Sequence, residues 1–325
     1  MIIILLNKKL INMMKEYDVV VIGSGPAGSM ASIYTTRNNF KTAMITGVNV
    51  GGQLANTTEV ENFPAFPESI RGAELAERIV RQSQNLGTDV IHDVVRKVDF
   101  FAKPFVCDTE NGDTYITKNV VIATGAIPKR LGIESERRFA GFGVSTCAVC
   151  DGSFFKDQPV AVVGGGETAG IEALHMTHLA SKVYLIHRRD KFTKMQQTTV
   201  KKLTSSDRVE IILDSEVQEI CGMNEPRSVE FIKIFNPKVK IVREIVVKAV
   251  FVAVGMKPRS DIFIDTGLNI DPKGYIITDC DSTRTNIKNV YAVGDVSDKK
   301  YKQAVIAAGY GAVAAFEIEK DCNEF

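Results

Sequence analysis

The chain has no tryptophan, only four histidines and no long apolar run in its 325 residues. Each shortage excludes something. A bilayer-spanning helix needs about 20 consecutive apolar residues, and no segment supplies them. The apolar start, Met1 to Leu6, is ended by Asn7-Lys8-Lys9. It falls short of the roughly 7 to 15 apolar residues of a secretory signal and lacks the positive lead. Residues 1–13 read as a frayed extension, or as sequence ahead of a true start at Met13 or Met14, and a cytoplasmic protein is expected. A zinc site wants four Cys or His ligands. Only one close cysteine pair exists, and His175 and His178 fit a helix, so no metal is expected. The net charge is only +1, and no basic stripe with interleaved aromatics occurs. Neither nucleic acid nor an anionic membrane is therefore an expected partner, and Lys299-Lys300-Tyr301-Lys302 reads as a solvated loop.

What the chain does contain is two glycine-rich turns with a cysteine pair between them. Gly23-Ser24-Gly25-Pro26-Ala27-Gly28 follows the apolar, β-branched run Tyr17 to Ile22, which reads as a buried parallel strand. A helix is expected from Pro26, tolerated in a first turn, to about Arg37; Thr42 to Ile45 is the next strand. The pattern returns with a strand at Pro159 to Val163, the turn Gly164-Gly165-Gly166-Glu167-Thr168-Ala169, a helix from Ala169 to Leu179 and a strand at Lys182 to Ile186. Two such βαβ units predict an α/β protein with two Rossmann-like three-layer dinucleotide-binding domains. Val120 to Pro128 and Val250 to Pro258 are each a strand, a glycine and a proline, and they bracket the second unit as crossing points. The expected division is a discontinuous domain, 14–126 with 256–325, and an inserted domain, 127–255. A last helix is expected from about Gln303 to Glu319.

In such a turn the first glycine makes the bend, the second lets backbone approach a pyrophosphate, and the third lets helix and strand pack closely. Backbone N–H groups then face the phosphates. The end of the second strand separates the nucleotides. In the inserted domain it runs into His187-Arg188-Arg189-Asp190, and arginines suit a ribose 2′-phosphate where a carboxylate suits a free hydroxyl. NADPH is therefore expected there. In the first domain the strand ends at Thr46-Gly47, with no carboxylate until Glu59, which leaves FAD and NAD both open. Gly51-Gly52-Gln53 offers a second backbone approach. Asp295, after Gly294 at a strand end, is placed to accept hydrogen bonds from a ribityl chain. The helix starting near Gln303 is placed to stabilise charge on a reduced flavin. Cys147-Ala148-Val149-Cys150 has the spacing of a reactive dithiol, and Asp151 beside it can shuttle a proton. Cys107, Cys221, Cys280 and Cys322 are scattered and read as buried or incidental thiols.

Together these residues closely resemble the low-molecular-weight thioredoxin reductases, from about Tyr17 to the C-terminus. The matching stretches are the first glycine turn, Gly51-Gly52-Gln53-Leu54, Thr58-Glu59-Val60-Glu61-Asn62-Phe63-Pro64, Ala123-Thr124-Gly125, Cys147 to Gly152, His187 to Asp190, and Gly294-Asp295 followed by Gln303-Ala304. The resemblance implies FAD on Gly23, Ser24, Gly25, Pro26, Ala27, Gly28, Thr46, Gly51, Gly52, Gln53, Asn62, Val95, Thr124, Gly125, Gly294, Asp295, Gln303 and Ala304. It implies NADPH on Gly164, Gly166, Glu167, Thr168, His187, Arg188 and Arg189. It further implies a homodimer, thioredoxin as protein substrate, Cys150 as the flavin-side thiol, Cys147 as its partner and Asp151 as the acid–base residue. The inserted domain is expected to swivel about the crossings near Ala126 and Met256.

The chain departs from the family pattern at Thr193, often an arginine that grips the 2′-phosphate, and at Phe142 and Ser153 on the expected thioredoxin-facing surface. Lys191 or Lys194 offers a less directional charge. Among related enzymes, a flavoprotein that oxidises a small dithiol with oxygen needs no NADPH site, and Arg188 and Arg189 argue against it. The flavoprotein subunit of alkyl hydroperoxide reductase carries a long N-terminal extension, which the dozen residues before the first strand do not supply. Ferredoxin–NADP reductases of this fold lack the cysteine pair. Nothing in the sequence supports a non-catalytic flavin-holding sensor.

Overall fold

The computed structural model describes residues 14–57 and 59–323, so the extension 1–13 and Thr58 lie outside it. The chain separates into two compact units. One takes the described residues up to Ile127 and from Lys257 onward; the other is Pro128–Met256. Each crossing thus falls one residue later than the sequence division. The crossings themselves, β7 (Ala126–Pro128) and β16 (Met256–Pro258), pair as a two-stranded ladder.

The first unit is built on β1 (Met14–Ile22), β2 (Thr42–Ile45), β3 (Asp89–Ile91), β4 (Val95–Asp99), β5 (Phe105–Thr109), β6 (Thr114–Ile122) and β17 (Val290–Ala292). Its sheet runs β3-β2-β1-β6, all parallel. The first half of β6 takes β5 antiparallel, and its second half takes β17 parallel, Val120 opposite Val290. Alternate residues of one strand feed opposite layers. Val19, Val21, Met44 and Val121 face α1 (Pro26–Arg37), α2 (Gly72–Asn85) and α7 (Ala304–Asn323) through Ala27, Ala31, Val80, Ala314 and Ile318. Val20, Ile22, Ile45 and Ile122 face a second layer with Val98, Phe105 and Phe263.

In the second unit β8 (Val144–Ser145), β9 (Pro159–Val163), β10 (Lys182–Ile186), β11 (Val209–Ile212) and β15 (Ala249–Val252) form a parallel sheet of order β11-β10-β9-β15-β8. On one face, α5 (Glu167–Thr177) and α6 (Gln197–Thr204) cover Val160, Val162, Leu185 and Phe251. On the other lies an antiparallel sheet of β12 (Glu216–Asn224), β13 (Arg227–Asn236) and β14 (Ile241–Val246). Its inward residues Ile220, Ile232, Ile234 and Ile245 meet Ala161, Val163 and Val250. Short helices α3 (Glu134–Arg138) and α4 (Ala148–Asp151) complete the unit. Both units are three-layered, as the sequence predicts; the antiparallel sheet is an element the sequence reading did not include. No helix among the described residues is long and apolar enough to cross a membrane.

Candidate active site

In the first unit the candidate residues gather largely at the carboxyl ends of β1, β2, β6 and β17, where an open α/β sheet holds ligands. Gly23 ends β1 with φ +111°, and a Cβ there would lie 2.3 Å from the Ala123 carbonyl oxygen. A Cβ on Gly28 would lie 1.9 Å from the Gly23 carbonyl oxygen. Only glycine lets α1 start this close to the strand, with Pro26 and Ala27 in its first turn. Ser24 explains how distant segments converge: its hydroxyl donates to the Thr46 carbonyl (3.0 Å) and accepts the Gly51 N–H (3.0 Å). The end of β2 and the Gly51-Gly52 loop are thereby tied to the glycine turn. Gly25 and Gly52 approach backbone to backbone, a Cβ on Gly25 standing 3.9 Å from the Gly52 Cα. Gln53 lies in the single 3-10 turn that follows.

Asn62 donates to the side chain of Gln303 at 3.3 Å, so the motif after Thr58 meets the start of α7 at Ala304. Thr124 and Gly125 hold the returning chain: the Thr124 hydroxyl donates to the Arg259 carbonyl at 2.7 Å, and the Arg259 N–H donates to Gly125. Val95 is only 5% exposed and its side chain is spent in the core. Asp295, just past β17 and Gly294, has its carboxyl pushed up to about 6 by burial, with a nearby Asp298 adding to the rise and Lys302 opposing it. No hydrogen bond to that carboxylate is made among the described residues. A glycine cradle beside a half-buried acceptor without a protein donor fits FAD, whose pyrophosphate takes backbone N–H groups and whose ribityl hydroxyls donate.

In the second unit the turn Gly164-Gly165-Gly166 lies against His187. A Cβ on Gly165 would fall 2.0 Å from the imidazole, whereas one on Gly166 would meet open space. The imidazole stacks on Phe192 (5.3 Å between rings), and its Nε2 is buried without a partner. Burial, with Arg189 and Arg188 nearby, lowers the His187 pKa, although a hydrogen bond with the Lys191 backbone opposes this. Arg188 and Arg189 are exposed and ion-pair with no carboxylate among the described residues. A glycine turn, an unpartnered ring nitrogen and two free guanidinium groups fit NADPH. Thr168 sits in the first turn of α5. The Glu167 side chain is engaged within the protein. Its carboxylate accepts the Gln196 N–H and the Thr199 hydroxyl, both at 2.6 Å, so it braces the loop after Arg189.

The same unit carries the cysteines. Cys147 and Cys150 are joined as a disulfide, whereas Cys107, Cys221, Cys280 and Cys322 are free. Burial pushes the Cys107 thiol up to about 12, which leaves it inert. Cys147 caps α4, and its sulfur accepts the Cys150 N–H at 3.2 Å. Asp151 ends the same turn; burial raises its carboxyl above the ordinary range, and a bond from Ser145 opposes that rise. Beneath the turn, Glu172 of α5 is buried and accepts the Ala148 N–H. Ser145 and Glu172 escaped the sequence reading. For Glu172 a signal existed: it lies three residues after Ala169 and four before Met176, on the buried face of the helix.

The family model for pyridine nucleotide-disulphide oxidoreductases matches residues 17–311. The thioredoxin reductase of Rickettsia conorii is 46% identical over 94% of this chain and 98% of its own. Among solved structures, thioredoxin reductase from Giardia duodenalis aligns over 95% of this chain and 99% of its own, with 37% identity and a TM-score of 0.89. That of Streptococcus pyogenes aligns over the same shares, with 38% identity and a TM-score of 0.88. Matches of this length run through both glycine turns and the cysteine pair, and the chain accordingly belongs to the pyridine nucleotide-disulphide oxidoreductases, in their thioredoxin reductase branch.

Proposed function

We propose that this protein reduces the disulfide of a thioredoxin with electrons from NADPH, passed through FAD and the Cys147–Cys150 pair. The observation that carries the reading is the redox turn. A disulfide, a backbone N–H on one of its sulfurs and a half-buried carboxylate lie within five consecutive residues, Cys147 to Asp151, in a unit that also holds a glycine turn and two free arginines. FAD, when bound in the first unit, supplies a two-electron carrier between nicotinamide and sulfur. Arg188 and Arg189 hold the 2′-phosphate, and the Gly164–Gly166 turn holds the pyrophosphate. Cys150 is the thiol on the flavin side and Cys147 its partner. Two electrons and two protons convert their disulfide to the dithiol. Handing both pairs to a thioredoxin disulfide re-forms the original bond, and Asp151 gives and takes the proton at sulfur. The 128–256 unit swivels about β7 and β16 so that one disulfide serves two partners in turn. The working form is a cytoplasmic homodimer.

The test is Cys150→Ser. The purified variant remains yellow and is still bleached by NADPH without oxygen, while thioredoxin-dependent NADPH oxidation drops at least a thousandfold. Full thioredoxin turnover by that variant rules the reading out.

A further inference from the structure

We propose that Ser145 is the positioning residue of the redox turn: its hydroxyl joins the backbone of Cys147 to the carboxylate of Asp151 and so determines which carboxylate oxygen is left to exchange a proton with the dithiol. The inference rests on Asp151 being the acid–base residue.

Ser145 closes β8, the edge strand of the parallel sheet, in register with Phe251 of β15. Its backbone is therefore set by the sheet and not by the cysteine turn. From this fixed point the hydroxyl oxygen accepts the Cys147 N–H at 3.1 Å and donates to Asp151 Oδ2 at 2.5 Å. The Cys147 carbonyl, at 3.5 Å, is a second possible acceptor for the same proton. A hydroxyl has one proton to give, and the carboxylate at 2.5 Å is the stronger claimant. With Oδ2 engaged, Asp151 Oδ1 is buried and has no partner.

That orphan oxygen is the informative feature. A buried carboxylate oxygen without a donor is costly in a merely structural residue, and this one belongs to the residue that directly follows Cys150 in the chain. Ser145 thus keeps Oδ2 out of the exchange and holds Oδ1 in it. Because the same hydroxyl grips both the Cys147 N–H and Asp151 Oδ2, it ties the two ends of the cysteine turn to the end of β8. From the elements packed on the turn, the ionisable group in hydrogen-bonding contact is Glu172 of α5, through the Ala148 N–H. The following 3-10 turn, Gly152–Phe155, contributes none. The Ser145 bond favours the ionised form of Asp151, so its loss drives the carboxyl further up.

The experiment compares holoenzyme wild type, Ser145→Ala, Ser145→Thr and Asp151→Asn. Thioredoxin-coupled NADPH oxidation is followed from pH 5 to 9, and anaerobic bleaching by NADPH is followed separately. Asp151→Asn identifies the inflection in the wild-type pH profile that belongs to Asp151. In Ser145→Ala that inflection moves up by about one pH unit and turnover at pH 7 falls about tenfold. Ser145→Thr restores both, and NADPH bleaching by the two serine variants matches wild type. A Ser145→Ala inflection that coincides with wild type, in a background where Asp151→Asn is slow, overturns the role of Ser145 and leaves Asp151 standing. Wild-type turnover and profile in Asp151→Asn overturn the acid–base reading, and Ser145 with it.

Discussion

Replacing Glu172 by glutamine should stabilise the 128–256 unit at pH 8 far more than at pH 5. Glu172 is 7% exposed on α5, its Oε2 has no partner, and burial pushes its carboxyl from 4.5 up to about 7 despite the bond from the Ala148 N–H. The folded-state value lies above the unfolded one. The native chain therefore holds a proton that the unfolded chain has lost, and stability is full below pH 4.5 and falls as pH rises toward 7. At about 1.36 kcal/mol per unit of pKa difference, the loss is roughly 1 kcal/mol at pH 5 and roughly 3 kcal/mol at pH 8. Glutamine keeps an acceptor for the Ala148 N–H and never ionises. A two-unit flavoprotein does not unfold in one transition, so the assay is hydrogen exchange of the α5 amides in both proteins. The ratio of protection factors, variant over wild type, should grow about thirtyfold between pH 5 and pH 8. A ratio constant within about threefold would mean that Glu172 is ionised in the native protein, and the argument from burial would fail.

Two further outcomes follow from other parts of the molecule. Arg284 grips Asp321 with two bonds (2.9 and 2.8 Å) and Glu317 with a third (2.8 Å), while the Tyr291 hydroxyl also donates to Asp321. This clamp fastens α7 beside β17. Arg284→Met should cost about 2 kcal/mol, discounted because Arg284 is a third exposed. The expected fall in melting temperature is about 4 to 8 °C, followed by release of flavin fluorescence; a fall under about 1 °C would show that water replaces the clamp. For Asp295, hydroxyl donors favour the ionised carboxylate, whereas burial without them holds it at about 6. FAD binding to the apoprotein should therefore weaken as pH falls below 6, by up to about tenfold per pH unit. Asp295→Asn should bind more weakly and without that dependence. A wild-type affinity flat from pH 5 to 8, measured by fluorescence titration, would contradict the assignment of Asp295 to the ribityl chain.

What the sequence made legible was whatever a local rule controls. β1, α1 and β2 were readable because a run buried on both faces needs no alternation, and because Gly23 and Gly28 stand where a Cβ would strike a carbonyl oxygen. The cysteine spacing was readable for the same reason, although a four-residue helix is too short for any period to show. The antiparallel sheet left a signal in the alternation of Ile232 and Ile234 and in the turn at Glu225-Pro226 between β12 and β13, but nothing in it pointed to chemistry. The residues that escaped act through tertiary contact. Glu172 is one glutamate on a helix, and only the fold buries it beneath the cysteine turn. Ser145 is one serine in a two-residue strand, and only the fold sets its hydroxyl between Cys147 and Asp151. Glycines and cysteines announce themselves because few other residues do their work at those positions. A serine or glutamate acquires its role from which atoms the fold leaves beside it, and here the two that matter surround a turn whose own sequence had already marked it as reactive.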